Sequence, residues 1–208
     1  MDCSIIICTR GRVERLQKTL RVFAALRVPA GWMVEMIVAD NDETGSAEEV
    51  VRSTRLDKID IHYLHHPIPG KSRALNAALA KASGTVLLFT DDDVEPAASW
   101  LERMAEPLLE RRCAAVAGRI VLAPHLARSW FGVMHRTWLA EVLDPADGKI
   151  ALVGASMAAQ RHRRPSSRDV LHLPHLDWAV RIPARRDNSC GRQWHAVHGH
   201  RLCHRRAA

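Results

Sequence analysis

The stretch LFTDDDVEP, residues 88–96, carries the chain from an apolar segment directly into three aspartates. Residues 85–89 form a short apolar run, which is typical of a strand buried on both faces in a parallel sheet. Asp91, Asp92 and Asp93 would repel one another at the end of such a strand, and a bound divalent cation would remove that conflict. Carboxylate oxygens suit Mg²⁺ or Mn²⁺, which proteins usually share with substrate phosphates.

The three aspartates are expected to divide between the two faces of the sheet. Side chains alternate along an extended strand, so Asp91 and Asp93 should point one way and Asp92 the other. An acidic turn that is simply exposed to water remains the alternative to a metal site.

Two other predicted strands end in polar residues that would lie beside this triplet. Residues 4–8, SIIIC, lead into Thr9 and Arg10, and residues 33–39 lead into Asp40. The carboxyl ends of parallel strands share one edge of a sheet, and ligands of such folds bind at that edge. The sequence therefore predicts that the three strand ends form one site.

Strands and helices alternate through the first 160 residues, which predicts an α/β fold. The predicted strands cover residues 4–8, 33–39, 59–64, 85–89 and 114–122. The predicted helices cover residues 12–26 and 47–55, a segment from Lys71 that Gly84 stops, and a segment that Pro96 opens. This order predicts a Rossmann-like, open and mostly parallel sheet flanked by helices.

Composition excludes several classes of protein. The chain has 208 residues, of which 47% are hydrophobic, so it is neither wholly disordered nor fibrous. It contains no run of about 18 apolar residues, and therefore no transmembrane helix is predicted. The N-terminus lacks a basic leader, and the five cysteines show no disulfide spacing. These features favour a cytoplasmic protein, which could associate peripherally with a membrane.

The formal net charge of +7 is concentrated in the last part of the chain. Residues 1–160 contain 19 basic and 20 acidic residues, whereas residues 161–208 contain 11 arginines and 3 acids. The basic character therefore belongs to the tail, and nucleic acid is not the expected partner of the folded part.

Gly70-Lys71-Ser72 invites comparison with a phosphate-binding P-loop. The full motif requires a glycine where His65 stands, and the prolines of the same loop remove N–H groups that a phosphate cradle needs. A P-loop is therefore not predicted.

Several segments together resemble glycosyltransferase family 2, of the GT-A fold type, over about residues 3–160. The segments that carry the resemblance are SIIICTRGR (4–12), VADN (38–41), PGKSRALNAAL (69–79), LFTDDDVEP (88–96), WL (100–101), VAG (116–118) and VGASMA (153–158). The last resembles a Gly-Ala-Asn-Met-Ala stretch of the family, with Ser156 in place of Asn. The resemblance implies a GT-A domain that is truncated at its C-terminal side.

The resemblance also implies roles for residues outside the triplet. Thr9 and Arg10 would line the pocket for the nucleotide base, and Asp40 would accept a hydrogen bond from the base. Arg73 would approach the base or the phosphates. Thr9 and Arg10 could instead be ordinary turn residues, and Arg73 a solvated helix charge.

For the triplet, the resemblance implies an Asp-x-Asp motif. Asp91 and Asp92 would contact the nucleotide, with Asp91 facing the ribose. Asp93, together with Asp91, would hold Mn²⁺ or Mg²⁺ against the diphosphate. The implied reaction moves a sugar from a nucleotide-diphosphate sugar, with UDP-sugars favoured, to an unknown acceptor with inversion of the anomeric centre.

The general base of such a reaction is not identified. In the family a Glu-Asp pair supplies it, but no Glu follows Glu141 in this chain, and Asp177 stands in no recognisable motif. The catalytic residue is therefore unknown. A catalytically inactive nucleotide-binding remnant is one alternative function. A nucleotidyltransferase of similar topology is another, although residues 9–12 match its glycine-rich loop poorly.

The tail, residues 161–208, is predicted to lie outside the nucleotide-sugar-binding domain of residues 1–160. Its composition suggests either a disordered segment or translation out of frame from about codon 160, in which case another frame would encode the missing Glu-Asp motif. A basic arm that binds nucleic acid or anionic lipid, and a zinc site, are alternatives. The possible zinc ligands are Cys190, His195, His198, His200, Cys203 and His204.

Overall fold

A computed structural model of the chain shows an α/β fold built around a six-stranded sheet. It describes residues 2–111, 115–118, 129–130, 150–151, 156–161, 170–172, 179–181, 192–197 and 200–205. The helices are α1 (Val13–Phe23), α2 (Glu48–Ser53), α3 (Lys71–Lys81) and α4 (Trp100–Leu109). The strands of the main sheet are β1 (Cys3–Thr9), β2 (Val34–Asp40), β3 (Asp60–His65), β4 (Val86–Asp91), β5 (Ala115–Ala117) and β7 (Ser156–Gln160).

The main sheet has the strand order β3-β2-β1-β4-β7-β5. The first four strands in this order are parallel, and β7 pairs antiparallel with both β4 and β5. The remaining strands form two small separate sheets: β6 (Ile150–Ala151), β8 (Val170–His172), β9 (Ala179–Arg181), β10 (Arg192–Val197) and β11 (His200–Arg205). The predicted mostly parallel, Rossmann-like sheet is confirmed.

The register of the central strands aligns their carboxyl ends. Thr9 at the end of β1 pairs with Asp40 at the end of β2, and Cys8 pairs with Asp91 at the end of β4. The predicted meeting of these strand ends at one edge of the sheet is therefore confirmed.

The core lies on both faces of the sheet, because side chains alternate along each buried strand. On one face, Leu16, Leu20 and Phe23 of α1 pack with residues of α2 and α4. On the other face, α3 presents small side chains, including Ala74 and Ala78, which let the helix lie close to the strands. Full burial of one large apolar side chain contributes about 1.5–3 kcal/mol to the free energy of folding. The many buried side chains therefore hold the sheet, and the residues at its edge, in a stable position.

The fourth helix begins later than the sequence predicts. Pro96 was expected to open it, but α4 begins at Trp100. The carbonyl of Ala98 instead accepts the backbone N–H of Arg27, at 2.8 Å, so a tertiary contact holds the segment in a turn. The predicted fifth strand is described only at Ala115–Ala117, and residues 119–122 lie outside the described residues.

The cysteines near the N-terminus are core residues, as the apolar pattern suggests. Cys3 and Cys8 are buried and form no disulfide. Burial raises the pKa of the Cys3 thiol to about 12 and that of Cys8 to about 11, which disfavours the reactive thiolate. Within the parts of the chain that the structure describes, no helix has the length and apolar character needed to cross a bilayer.

A buried carboxylate ties the sheet together at the edge opposite the strand ends. Glu35 on β2 is 5% exposed, and its Oε1 accepts hydrogen bonds from Ser4 Oγ at 2.6 Å and from Ser83 N and Oγ, each at 2.7 Å. Ser4 Oγ in turn accepts the N–H of Gly84 at 2.8 Å. The carboxylate therefore links β1, β2 and the loop that follows α3. Burial would raise the pKa of Glu35, but the hydrogen bonds from Ser4 and Ser83 outweigh it and lower the pKa.

This lowered pKa predicts a loss of stability in acid. A carboxyl group with a lower pKa in the folded state stabilises the protein above its unfolded pKa, near 4.5, and loses that contribution as the pH falls through its folded value. Glu35→Gln is expected to lower the free energy of unfolding at pH 7 by about 1–2 kcal/mol and to flatten its dependence on pH below 4.5. Urea denaturation between pH 3 and pH 7 measures both effects. The exposed Glu14→Gln is the control, and equal acid sensitivity of wild type and Glu35→Gln would contradict the prediction.

Candidate functional site

The carboxyl edge of the sheet gathers polar side chains from three strands and the first residues of two helices. Beta strands β1, β2 and β4 end there, and α1 and α3 begin just after the loops that leave this edge. The N-terminal end of a helix carries partial positive charge, which favours anions. The edge therefore combines carboxylates with groups that can attract phosphate.

Asp92 is enclosed at the centre of this edge. Its side chain is fully buried, its Oδ2 accepts a hydrogen bond from Thr9 Oγ1 at 2.6 Å, and Arg12 Nη2 lies 2.6 Å from its Oδ1. This second contact is an ion pair without hydrogen-bond alignment at Oδ1. Thr19 Oγ1 also donates to the backbone carbonyl of Asp92 at 2.9 Å. Burial raises the pKa of Asp92, while the Thr9 hydrogen bond and the Arg12 charge oppose that rise.

Asp91 and Asp93 are the accessible members of the triplet. Their side chains are 25% and 39% exposed. The Lys71 ammonium pairs with Asp91 Oδ1, whereas Asp93 Oδ2 lies 3.2 Å from Arg12 Nη1 and 3.6 Å from Arg15 Nη1. The extended strand stops at Asp91. Asp91 therefore pairs with the start of α3, whereas Asp93 pairs with the start of α1.

Asp40 organises the loop that follows β2. It is fully buried, and its oxygens accept the backbone N–H groups of Asp42 at 3.0 Å and Ala47 at 2.8 Å. Tyr63 Oη donates to Asp40 Oδ2 at 3.2 Å. Burial and the nearby Asp40 carboxylate both raise the pKa of Tyr63, so its hydroxyl remains a donor. The contact of Asp40 with a nucleotide base stays a prediction.

Asn41 connects this loop to the segment that leads into α3. Its side-chain amide donates to the carbonyls of His66 at 2.8 Å and Ile68 at 2.7 Å, and its Oδ1 accepts the Gly70 N–H at 3.0 Å. Gly70 has a φ of +128°, a conformation that favours glycine. Asn41 thereby places the first turn of α3 beside the strand ends.

The two remaining predicted nucleotide contacts are exposed arginines. Arg10 follows β1 directly, and Arg73 lies in the first turn of α3, where its side chain passes over Gly70. Thr9, by contrast, is buried against Asp92. The structure therefore brings all the predicted residues to one edge, some exposed and some enclosed.

Three residues of this edge make contacts that the sequence patterns do not predict. The sequence around Lys71 suggested only a P-loop, and no local pattern distinguished Arg12 or Asn41. The signal for Lys71 was available, because it is a cation at the first position of a helix that follows a predicted strand. The partner Asp93 lies 81 positions from Arg12, and local sequence does not reveal such a pairing.

The donor chemistry at this edge fits a hard divalent cation. Asp91 and Asp93 supply partly exposed carboxylate oxygens, which Mg²⁺ and Mn²⁺ prefer. No cluster of three or more His, Cys, Asp or Glu side chains among the described residues is arranged to hold a metal by itself. A cation here would need oxygens from a bound phosphate or from water to complete its coordination.

Several predictions concern residues whose side chains the structure does not describe. Residues 153–155 of the VGASMA segment, Asp177, Cys190 and His198 lie outside the described residues. The other possible zinc ligands lie in β10 and β11, for which only the backbone is described. A domain boundary near Gln160, a disordered or out-of-frame tail and a zinc site therefore stay predictions, and no general base is assigned.

Comparison with known sequences identifies relatives of this arrangement. The model of glycosyl transferase family 2 matches residues 4–207. Succinoglycan biosynthesis protein ExoM of Rhizobium meliloti (strain 1021) is 39% identical over 121 residues, which cover 58% of this chain and 39% of that protein. Pre-mycofactocin glycosyltransferase of Mycobacterium tuberculosis is 32% identical over 122 residues, which cover 58% of this chain and 24% of that protein. The matched part thus spans well under half the length of these relatives.

Solved structures share the fold. Mannosyltransferase PcManGT from Pyrobaculum calidifontis, in complex with GDP-Man and Mn²⁺, matches with a TM-score of 0.57 and 22% identity, over 76% of this chain and 44% of that chain. S. aureus TarS 1–349 matches with a TM-score of 0.54 and 18% identity, over 77% of this chain and 47% of that chain. These likenesses establish the GT-A type of architecture.

Proposed function

The chain belongs to glycosyl transferase family 2, and from this premise we propose that it transfers a sugar from a nucleoside-diphosphate sugar to an acceptor hydroxyl. The observation that carries the proposal is the register of β1, β2 and β4, which brings Asp40 and Asp91 to one edge, where Asp93 follows shortly after Asp91. The enclosed Asp40 and Asp92 order the loops, while Asp91 and Asp93 remain accessible to a ligand.

Within this proposal the accessible residues divide between metal and nucleotide. Asp91 and Asp93 would hold Mn²⁺ or Mg²⁺, which when bound offsets the charge that develops on the departing diphosphate. Arg10 and Arg73 would attract the negatively charged donor. Thr9 and Asp92 would act on the nucleotide indirectly, by holding the ends of β1 and β4 together, because both are buried and Thr9 donates a hydrogen bond to Asp92.

The donor is proposed to be a UDP-sugar, and GDP is the second nucleotide to test. The similar mannosyltransferase PcManGT was solved with GDP-Man and Mn²⁺, which supports including GDP and using Mn²⁺ as the probe metal. Direct displacement with inversion is the proposed stereochemistry.

A catalytically inactive nucleotide-binding remnant is the second candidate. The observation in its favour is the absence of any Glu after Glu141, where the family supplies the general base. Both candidates use the same nucleotide site, so they differ in turnover and not in binding.

Calorimetric titration of the full chain with UDP and with GDP, each with Mn²⁺, tests the shared site. Binding is expected with a dissociation constant between about 1 µM and 1 mM, and omission of Mn²⁺ should weaken it. Release of nucleotide from the corresponding sugar nucleotides then separates the two candidates. Turnover supports the transferase, and binding without turnover supports the remnant. Failure of both nucleotides to bind would contradict both.

A further inference from the structure

The first residue of α3 places a movable positive charge on one of the two accessible carboxylates. Resting on the proposed function of this site, we propose that Lys71 is a resident counter-cation of Asp91, which a divalent metal must displace, so that metal and diphosphate bind together. Lys71 is therefore a positioning residue that couples the binding of the two ligands.

The contact joins two elements that are held in place independently. Asp91 is the last residue of β4, in the centre of the sheet, and Lys71 is the first residue of α3. Gly70, directly before the helix, is held by the Asn41 side chain, which ties this end of α3 to the loop after β2. The Lys71 backbone is therefore fixed beside the strand end, and only its side chain needs to move.

The exposure of the side chains indicates which ion pairs at this edge can exchange partners. The Lys71 and Asp91 side chains are 44% and 25% exposed, and among residues with described positions neither side chain has another hydrogen-bond partner. Asp92, in contrast, is fully buried between Thr9 and Arg12. Removing a partner from a buried carboxylate is costly, whereas a partly exposed pair exchanges partners readily because water screens both charges.

Electrostatics then link the two ligands. A metal ion on Asp91 would stand within a few ångströms of the Lys71 ammonium, and two cations at that distance repel each other. The four-carbon stem of a lysine lets the ammonium swing away, and a diphosphate at the same edge gives it a new partner. The nucleotide therefore lowers the cost of moving Lys71, and by linkage metal and nucleotide strengthen each other's binding.

Binding of Mn²⁺ alone tests this inference, because no turnover is needed. In the full chain without nucleotide, Lys71→Met is expected to tighten Mn²⁺ binding at least about fivefold, measured from the electron paramagnetic resonance signal of free Mn²⁺. The same substitution should reduce the gain in Mn²⁺ affinity that added UDP or GDP produces. Loss of a structural contact alone would not tighten metal binding.

Two further variants separate charge from other effects. Lys71→Arg keeps the positive charge and should bind Mn²⁺ like wild type, and Lys81→Met removes an exposed lysine from the far end of the same helix and should also match wild type. Unchanged Mn²⁺ affinity in Lys71→Met, or equal tightening in Lys71→Arg, would overturn the inference. Failure of wild type to bind either nucleotide would instead count against the proposed function, since the Mn²⁺ comparison is made without nucleotide.

Discussion

Asp93→Asn is expected to lower the release of nucleotide from a sugar-nucleotide donor by at least about 100-fold. Asp93 is the more exposed of the two accessible carboxylates, and its charge faces Arg12 and Arg15 at the strand edge. The amide removes one negative charge from the proposed metal site while keeping nearly the same shape. Turnover with Mn²⁺, together with calorimetric titration of nucleotide in the presence and absence of Mn²⁺, measures the effect.

The matched control for this substitution is Asp57→Asn. Asp57 is exposed in the loop before β3, at the opposite edge of the sheet, so its loss should change neither turnover nor nucleotide binding. If wild type binds nucleotide without turnover, the Mn²⁺ dependence of that binding becomes the readout, and Asp93→Asn should abolish it. Wild-type behaviour of Asp93→Asn in both measurements would remove Asp93 from the metal site.

Gly84→Ala is expected to lower the free energy of unfolding by about 3 kcal/mol. A Cβ atom at this position would lie 2.6 Å from the backbone carbon of Cys3 and from the backbone nitrogen and Oγ of Ser4. These atoms belong to the central strand β1, which cannot retreat without breaking its pairing with β2 and β4. The substitution should also disturb the hydrogen bonds that Ser4 makes with Gly84 and Glu35.

Gly31→Ala provides the matched comparison, because it makes the same chemical change in open space. No atom lies within 4 Å of a Cβ added to Gly31, and its φ of +81° costs an alanine about 1 kcal/mol. Urea denaturation of both variants measures the effect, and Gly84→Ala should lower the free energy of unfolding clearly more than Gly31→Ala. Equal destabilisation of the two variants would mean that the space around Gly84 adapts to a methyl group.

The architecture was open to prediction from local patterns. Short apolar runs such as residues 4–8 and 85–89 indicated buried parallel strands, and the polar residues that follow them had to share one edge. Helix boundaries were harder to predict. The helix α4 begins only at Trp100, because the Ala98 carbonyl accepts a hydrogen bond from the distant Arg27.

The burial and the ionic partners of the carboxylates in the candidate site could not be predicted from local patterns. The alternation rule separates neighbouring side chains only while a strand continues, and β4 ends at Asp91. Asp92 is buried and Asp93 is partly exposed because of where α1 lies, with Arg12 and Thr19 against them. In the sequence Glu35 is likewise an isolated charge in an apolar strand, and its partners Ser4 and Ser83 come close to it only when the chain has folded.

The sequence by itself determined the α/β class, the parallel core and the residues that directly follow the central strands, because strand periodicity and chain order leave few alternatives for them. The tertiary structure alone decided which carboxylate meets which cation. Lys71 and Asp91 are 20 positions apart, and Arg12 and Asp93 are 81 positions apart. Charge pairing depends on distances of a few ångströms between such residues, and those distances exist only once the helices have packed on the sheet.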